Sequence, residues 1–341
     1  MAIPSGVITI EQAAKVQNNP ELKKIVKSLY KFDSILPLIP MRTEMVSRMD
    51  GARLVGNLPT PTFVAANQAP TYVQANPEQF SEKVYMIRNL VGADSFYIRD
   101  KLNFTDPVKL TKDAYFEALS YLINDYFINA TPTTEGGLAP VGLKARLDNP
   151  ITYGIFNVSG TAETKFSASA NVAFGSISTA EAAKFTYAFR KMLTRMGSKT
   201  GKGIHAFMDE ELFDRMWLIL GYNNQGNSLT VDKDGYDRKI VKFDDCELHP
   251  IGRKADQTTR IIPITETSAG ATGGTTYTSI YFAHFGEDYM DGWKWADPAF
   301  YDRPWLDDGT IAPELFEFIF GWRTVNNRAI GRLFGIDIGS V

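Results

Sequence analysis

The stretch from residue 45 to residue 85 constrains this chain more than any other. It holds Gly51, Gly56, Pro59, Pro61, Pro70 and Pro77, with short β-rich pieces around Val55 and at Thr62–Val64 and no helical period. Irregular loops beyond about 12–15 residues are uncommon in compact domains. The stretch also carries Val55, Leu58, Phe63, Val64, Tyr72 and Val73, which a lone hairpin cannot bury within itself. These six residues are therefore expected to rest on a partner surface, from the chain's own body or from another chain.

The flanking segments read as ordinary packed elements. Thr9 with Gln12, and Asn19 before Pro20, mark two short helices near the start. Leu22, Ile25, Val26 and Leu29 give the second one a buried side. Lys15, Lys23, Lys24, Lys27 and Lys31 make the outer face of the whole segment through Lys31 basic, a solvated face or a contact for a polyanion or an acidic neighbour. Asp106 and Pro107 open the clearest helix, expected over residues 107–129. Tyr115, Leu119, Leu122 and Tyr126, with Phe116, Ile123 and Phe127 beside them, predict one broad apolar face. Pro132, Gly136 and Gly137 then open a loop.

A second region starts near Pro150. Ser178 and Glu181 form a capping box before a stripe of Phe185, Phe189, Met192 and Met196 that Gly197 ends. Asp209 caps another helix with Leu212, Phe213, Met216, Trp217 and Leu220, ended by Gly221. Strands are expected at Ile204–Met208, Ile240–Phe243, Arg260–Ile264 and Ser279–Phe285, with SAGATGG as a surface loop before the last. The apolar runs Phe316–Phe320 and Thr324–Ile336 are expected to rejoin the sheet of the first region. Helices and strands interleave irregularly, so the class is α+β.

Little in the chain suggests catalysis. A net charge of −3 argues against strong nucleic-acid binding by the protein as a whole. The single cysteine, Cys246, excludes a disulfide framework within the chain. No apolar run approaches the ~18–20 residues needed to span a bilayer, and the first residues lack a secretory pattern. His205, His249 and His284 have no metal-ligand spacing, and Cys246 with His249 is one pair where zinc wants more ligands. The string GSKTGKG from Gly197 to Gly203 is one residue short of a phosphate loop and follows a helix. Asp232, Asp234 and Gly235 suit a hairpin turn better than a calcium loop. No catalytic, cofactor-binding or metal residue is assigned, and no enzyme is expected.

The order of parts nevertheless resembles a known family. DYFINATPTTEGG followed by GLAPVGLKARLDNP is similar to the spine helix and the "GL…RL" segment of major capsid proteins of tailed bacteriophages of the Hong Kong 97 type. TSIYFAHFGEDYMDG resembles that family's late strand and turn. FEFIFGWRTVNNRAIGRLFGIDI resembles its closing segment, with Trp322, Asn326, Ala329 and Leu333 in the expected places. The resemblance implies an N-terminal arm over 1–44 and an extended E-loop over 45–85, laid across a neighbouring subunit. It implies a peripheral (P) domain over 86–150 with the spine helix at 107–129. An axial (A) domain follows over 151–289, and 290–341 return to the P-domain. It further implies a virion shell assembled in the host cytoplasm from pentamers and hexamers, with a precursor that expands on packaging. Portal, scaffolding and decoration proteins and weakly held double-stranded DNA would be partners, and the lysines named above would face the DNA. Gly51, Gly56 and Gly92 are candidate hinges. An encapsulin-like nanocompartment is the nearest alternative. Two departures from the type member stand out: no long N-terminal scaffolding segment is present, and no lysine lies between Arg42 and Glu82. A separate scaffolding protein and no isopeptide network are expected.

Overall fold

The computed structural model describes residues 8–10, 20–31, 34–54, 61–66, 68–69, 72, 74, 77–94, 107–153, 165–167, 179–222, 229–233, 239–266, 277–302 and 311–338. After strand β1 (Ile8–Thr9) comes helix α1 (Pro20–Lys31), then strands β2 (Pro40–Thr43), β3 (Arg48–Leu54), β4 (Pro77–Lys83) and β5 (Tyr85–Asp94). Helices α2 (Pro107–Asn129), α3 (Leu143–Asp148) and α4 (Pro150–Tyr153) precede strand β6 (Lys165–Ser167) and helix α5 (Thr179–Arg195). Strand β7 (Ile204–Asp209) leads into helix α6 (Glu210–Tyr222). The remaining described elements are strands: β8 (Leu229–Lys233), β9 (Lys239–Phe243), β10 (Cys246–Ile251), β11 (Tyr277–His284), β12 (Met290–Lys294), β13 (Ala299–Asp302), β14 (Ile311–Thr324) and β15 (Ile330–Asp337).

Two sheets organise these elements. In the first, β14 is the hub: it pairs with β12 through residues 320–324, with β13 through 314–317 and with β5 through 311–320. Strands β2 and β1 extend that sheet beyond β12. The second sheet runs β6-β15-β11-β7-β10-β9-β8. The two C-terminal runs therefore part. β14 joins the first sheet as expected, whereas β15 pairs with β11 and β6 in the second. The turn at Asn326, whose carbonyl accepts from Ala329 N–H at 3.0 Å, passes the chain between them.

Helix α2 spans the predicted 107–129, roughly 34 Å at 1.5 Å per residue. Its buried side is Phe116, Leu119, Ile123, Phe127 and Ile128, while Tyr115 and Tyr126 sit at the margin and Leu122 is exposed. The stripe is thus turned from the one expected. Aromatic pairs bind it to the sheets: Phe116 to Phe300 at 5.5 Å, Phe127 to Trp322 at 5.4 Å and Phe127 to Phe207 at 5.4 Å between centroids. Pleating divides the second sheet cleanly. Phe207, Tyr281 and Ile330 face the core shared with α1 and α2, while Ala206, Met208, Ile280, Phe282 and Leu333 face α5 and α6.

The local signals behave as their chemistry dictates. Helix α5 ends in a Schellman motif: Gly197, at φ 84°, donates to Thr194 O at 3.0 Å and Ser198 to Leu193 O at 3.1 Å. Asp209 caps α6, accepting from Glu211 N–H at 3.0 Å. Strands β8 and β9 pair with Lys233 opposite Lys239, as a hairpin requires. The expected strand at Arg260–Ile264 is absent; Ile261 and Ile262 are buried in a turn-rich segment closed by a bridge between Arg253 and Arg260. Two apolar residues in a row satisfy burial without a strand ladder. Gln12, Asn19, Asp106, Ser178, Asp234, Gly235 and the SAGATGG loop lie outside the described residues.

Candidate assembly interface

Strands β3 and β4 form a separate two-stranded hairpin, in register from Arg48 opposite Lys83 to Leu54 opposite Pro77. Seven residues per strand make it about 23 Å long. Its root is bolted to the first sheet. Arg323 donates to Asp291 Oδ1 at 2.7 Å and to the Asp50 carbonyl at 2.8 Å, and its guanidinium lies 4.1 Å from the Trp293 ring centroid. Trp295 Nε1 donates to Val46 O at 2.8 Å, and Trp293 Nε1 to Glu44 Oε2 at 3.1 Å. Met49 is buried there, 2.9 Å from where a Cβ on Gly321 would stand.

Arg146 holds the other strand. This side chain is fully buried, yet its Nη1 donates to Glu82 Oε1 at 2.7 Å and its Nη2 also reaches that carboxylate. Nε donates to Val141 O at 3.1 Å, and Nη1 also to Thr324 Oγ1 at 3.2 Å. Burial works against the charge, but the Glu82 carboxylate outweighs it, so the guanidinium is held more firmly protonated than usual. Asp291 is different: burial pushes its carboxyl up despite Arg323. Trp322 Nε1 donates to Val141 O at 2.9 Å, tying the "GL…RL" segment to β14. Gly142 lets the same segment lie against the end of α2, since a Cβ would stand 2.7 Å from Tyr126 O and 2.8 Å from Ala130 N.

Beyond the root the cover ends. Phe63 is 107% exposed and Tyr72 83%, with Val64 also exposed, so the body provides these residues no surface. Val55, Leu58 and Val73 lie outside the described residues. A second apolar surface opens elsewhere, a groove between β5, α2 and the loop before α3, lined by Met86, Leu122, Leu138 and Pro140. Met86, Leu122 and Leu138 are exposed.

The other residues singled out by sequence fall as follows. Gly51 lies inside β3, where a Cβ would meet Phe80 Cζ at 2.7 Å and Arg323 Nη1 at 2.9 Å; close approach alone requires glycine there. Gly92 lies within β5 opposite Pro313, and Gly56 is outside the described residues. On α1, Lys24 and Lys27 are exposed and Lys23 half-buried, above buried Leu22, Ile25, Val26 and Leu29. Nothing is described of the side chains of Lys15 and Lys31. Cys246 is buried, its thiol pushed well up by burial, on the α5–α6 side of β10 with Leu248. His249 is three positions on, so pleating sets it on the opposite side and the pair cannot act together. GSKTGKG is a turn with Gly197, Gly201 and Gly203 at positive φ, and a Cβ on Gly201 would stand 2.7 Å from Cys246 Cβ.

Two of the three histidines meet across the second sheet. Parallel pairing of β7 with β10 sets His205 opposite Glu247 and Phe207 opposite His249. His205, Glu247 and His249 thus become a group able to hold a metal ion. Spacing along the chain could not reveal it, because the pairing crosses more than forty residues.

No family model matches the chain, and no curated protein matches its sequence. Solved structures do. An encapsulin complex from Synechococcus elongatus is similar with TM-score 0.56 at 9% identity, over 89% of this chain and 87% of that one. The capsid of a native GTA particle gives 0.53 at 11%, over 91% and 90%. The capsid of the Myoviridae phage XM1 gives 0.53 at 10%, over 87% and 90%. At such identities the likeness concerns the fold, and it extends over nearly the whole of each chain.

Proposed function

We propose that this chain, which has the Hong Kong 97-type fold of those shells, is the major capsid subunit of a tailed bacteriophage. In this reading it closes with copies of itself into an icosahedral or prolate head around double-stranded DNA, and its role is structural and not catalytic. The observation that carries the proposal is the hairpin arm, fixed at its root by Arg146 and Arg323 and uncovered at Phe63 and Tyr72. Burying one such side chain is worth roughly 1.5–3 kcal/mol. A neighbouring copy offers an apolar counterpart in the groove of Met86, Leu122 and Leu138. Many modest interfaces that close on themselves make a stable shell.

Within this reading residues 1–44 are the arm, 45–85 the E-loop, 86–150 and 290–341 the P-domain and 151–289 the A-domain. Strand β15, which pairs in the second sheet, then ties the two domains together. The lysine face of α1 lies toward the DNA and binds it weakly, so that DNA can slide in and out. Of the three candidate hinge glycines, Gly56 lies where the E-loop would change course when a precursor shell expands, whereas Gly51 is held in the β3 ladder by close approach and Gly92 belongs to the paired strand β5 beyond the loop. A separate scaffolding protein and a portal complete the assembly, decoration proteins sit outside, and non-covalent contacts alone hold the shell.

Sedimentation velocity tests the arm. The chain expressed with its scaffolding partner is expected to give fast-sedimenting shells. Phe63→Ser combined with Tyr72→Ser is expected to leave a folded chain of 38.0 kDa that stays in small species. Shells at unchanged yield from that variant would remove the arm from the interface. A second reading, a nanocompartment shell, rests on the similarity to the encapsulin complex. Particle contents separate the two, since nuclease-protected DNA supports a phage head and an enclosed protein supports the nanocompartment.

A further inference from the structure

Outside the arm and its groove, the second sheet brings three donor atoms to one point. His205 Nδ1 lies 3.0 Å from His249 Nε2 and 3.4 Å from Glu247 Oε2, and His249 Nε2 lies 3.7 Å from the same oxygen. Zinc binds imidazole nitrogen and carboxylate oxygen at about 2.0–2.2 Å in a tetrahedron, which sets neighbouring donors about 3.3–3.5 Å apart. The three observed edges bracket that value. Two of them are long for a hydrogen bond, so a single shared proton does not explain the triangle.

The surroundings fix the three groups. The His205 ring packs 4.7 Å from Phe285 and the His249 ring 5.4 Å from Phe207, centroid to centroid. Lys242 Nζ lies 3.5 Å from Glu247 Oε1, which leaves Oε2 turned to the histidines. His249 is buried and His205 half-buried, on the side of the sheet that faces the core of α2. Two imidazoles and one carboxylate suit a borderline divalent ion of the zinc class, whereas calcium and magnesium want oxygen donors.

We infer that His205, Glu247 and His249 form a site for a divalent transition-metal ion, with a fourth position left to solvent. On binding, the proton shared by the two rings moves to a far ring nitrogen or to solvent, and each near nitrogen gives its lone pair to the ion. The ion staples β7 to β10, a parallel pair separated in the chain by α6 and the β8–β9 hairpin, and so stiffens the second sheet. This inference is independent of the shell reading, because it concerns one chain.

The test is titration of the full-length, chelator-dialysed protein with Co2+, followed by visible absorption. One saturating equivalent per chain is expected, with the strong bands of a tetrahedral ion and no thiolate band. His205→Asn and His249→Gln are each expected to weaken binding beyond the ~10–100-fold typical of changes outside the ligand set. Cys246→Ser and His284→Gln are expected to leave the spectrum unaltered. Should the ligand variants fail to fold, X-ray absorption of the Zn2+-loaded unaltered protein decides, expected to show nitrogen and oxygen neighbours with imidazole scattering. No saturable binding, binding that survives in the His205→Asn/His249→Gln double variant, or sulfur at the metal would each overturn the inference.

Discussion

Arg146 carries its charge with no exposure to solvent, and its donors are spent on Glu82, Val141 and Thr324. Removing one partner of such a pair costs far more than removing both, because the remaining charge is left buried and uncompensated. Glu82→Gln is therefore expected to lower stability by about 3–5 kcal/mol, read from the urea midpoint. The double variant Arg146→Met/Glu82→Leu should recover most of that loss; a double variant as unstable as Glu82→Gln would contradict the pairing. His284 supplies a pH effect. Burial pulls its imidazole below the ordinary 6.5, and its ring stacks 3.6 Å from Tyr289 between centroids. As pH falls through 6.5 the unfolded chain takes up the proton first. The stability due to the neutral ring is thus present above that value and lost on the way down to the lower folded value. The fall in unfolding midpoint between about pH 7.5 and 5.5 should be smaller in His284→Gln than in the unaltered chain. Arg146 stood within the quoted "GL…RL" string, but its partner Glu82 is 64 residues away, and no local pattern discloses such a pair.

Helix α2 shows what periodicity delivers and where it stops. Its ends followed from Pro107 and from the loop after Asn129. Its rotation did not, because apolar residues ring most of the helix and the pattern cannot say which side meets the sheet. The side carrying Phe116, Ile123 and Phe127 won, through its rings against Phe300, Trp322 and Phe207. Leu122 was left toward the groove. Ile123→Ala is accordingly expected to cost about 2–4 kcal/mol of folding stability, while Leu122→Ser should cost far less and act on assembly instead. Equal thermal shifts for the two variants would contradict the observed rotation. Similar reasoning explains the C-terminal runs: β14 and β15 are both apolar, and hydrophobicity alone does not choose between two sheets. The histidine and glutamate of β7 and β10 were equally hidden, since only the parallel register unites them.

At the scale of the molecule, the irregular stretch that no compact domain would bury was the most informative feature of the chain, together with the order of parts around it. It becomes a hairpin held firmly at its base and uncovered at Phe63 and Tyr72, on a fold found in closed shells. The α+β class and the long helix were legible because they depend on local spacing. The sheet topology was not, because pairings such as β2 with β12 join residues some 250 positions apart. The central claim is that copies of this chain close into a shell, and electron microscopy of the purified protein expressed with its scaffolding partner tests it most directly. Thin-walled particles of uniform size, with the arm of one copy lying over the groove of Met86, Leu122 and Leu138 in the next, are the expected result. A monodisperse monomer or dimer under the same conditions would contradict the account.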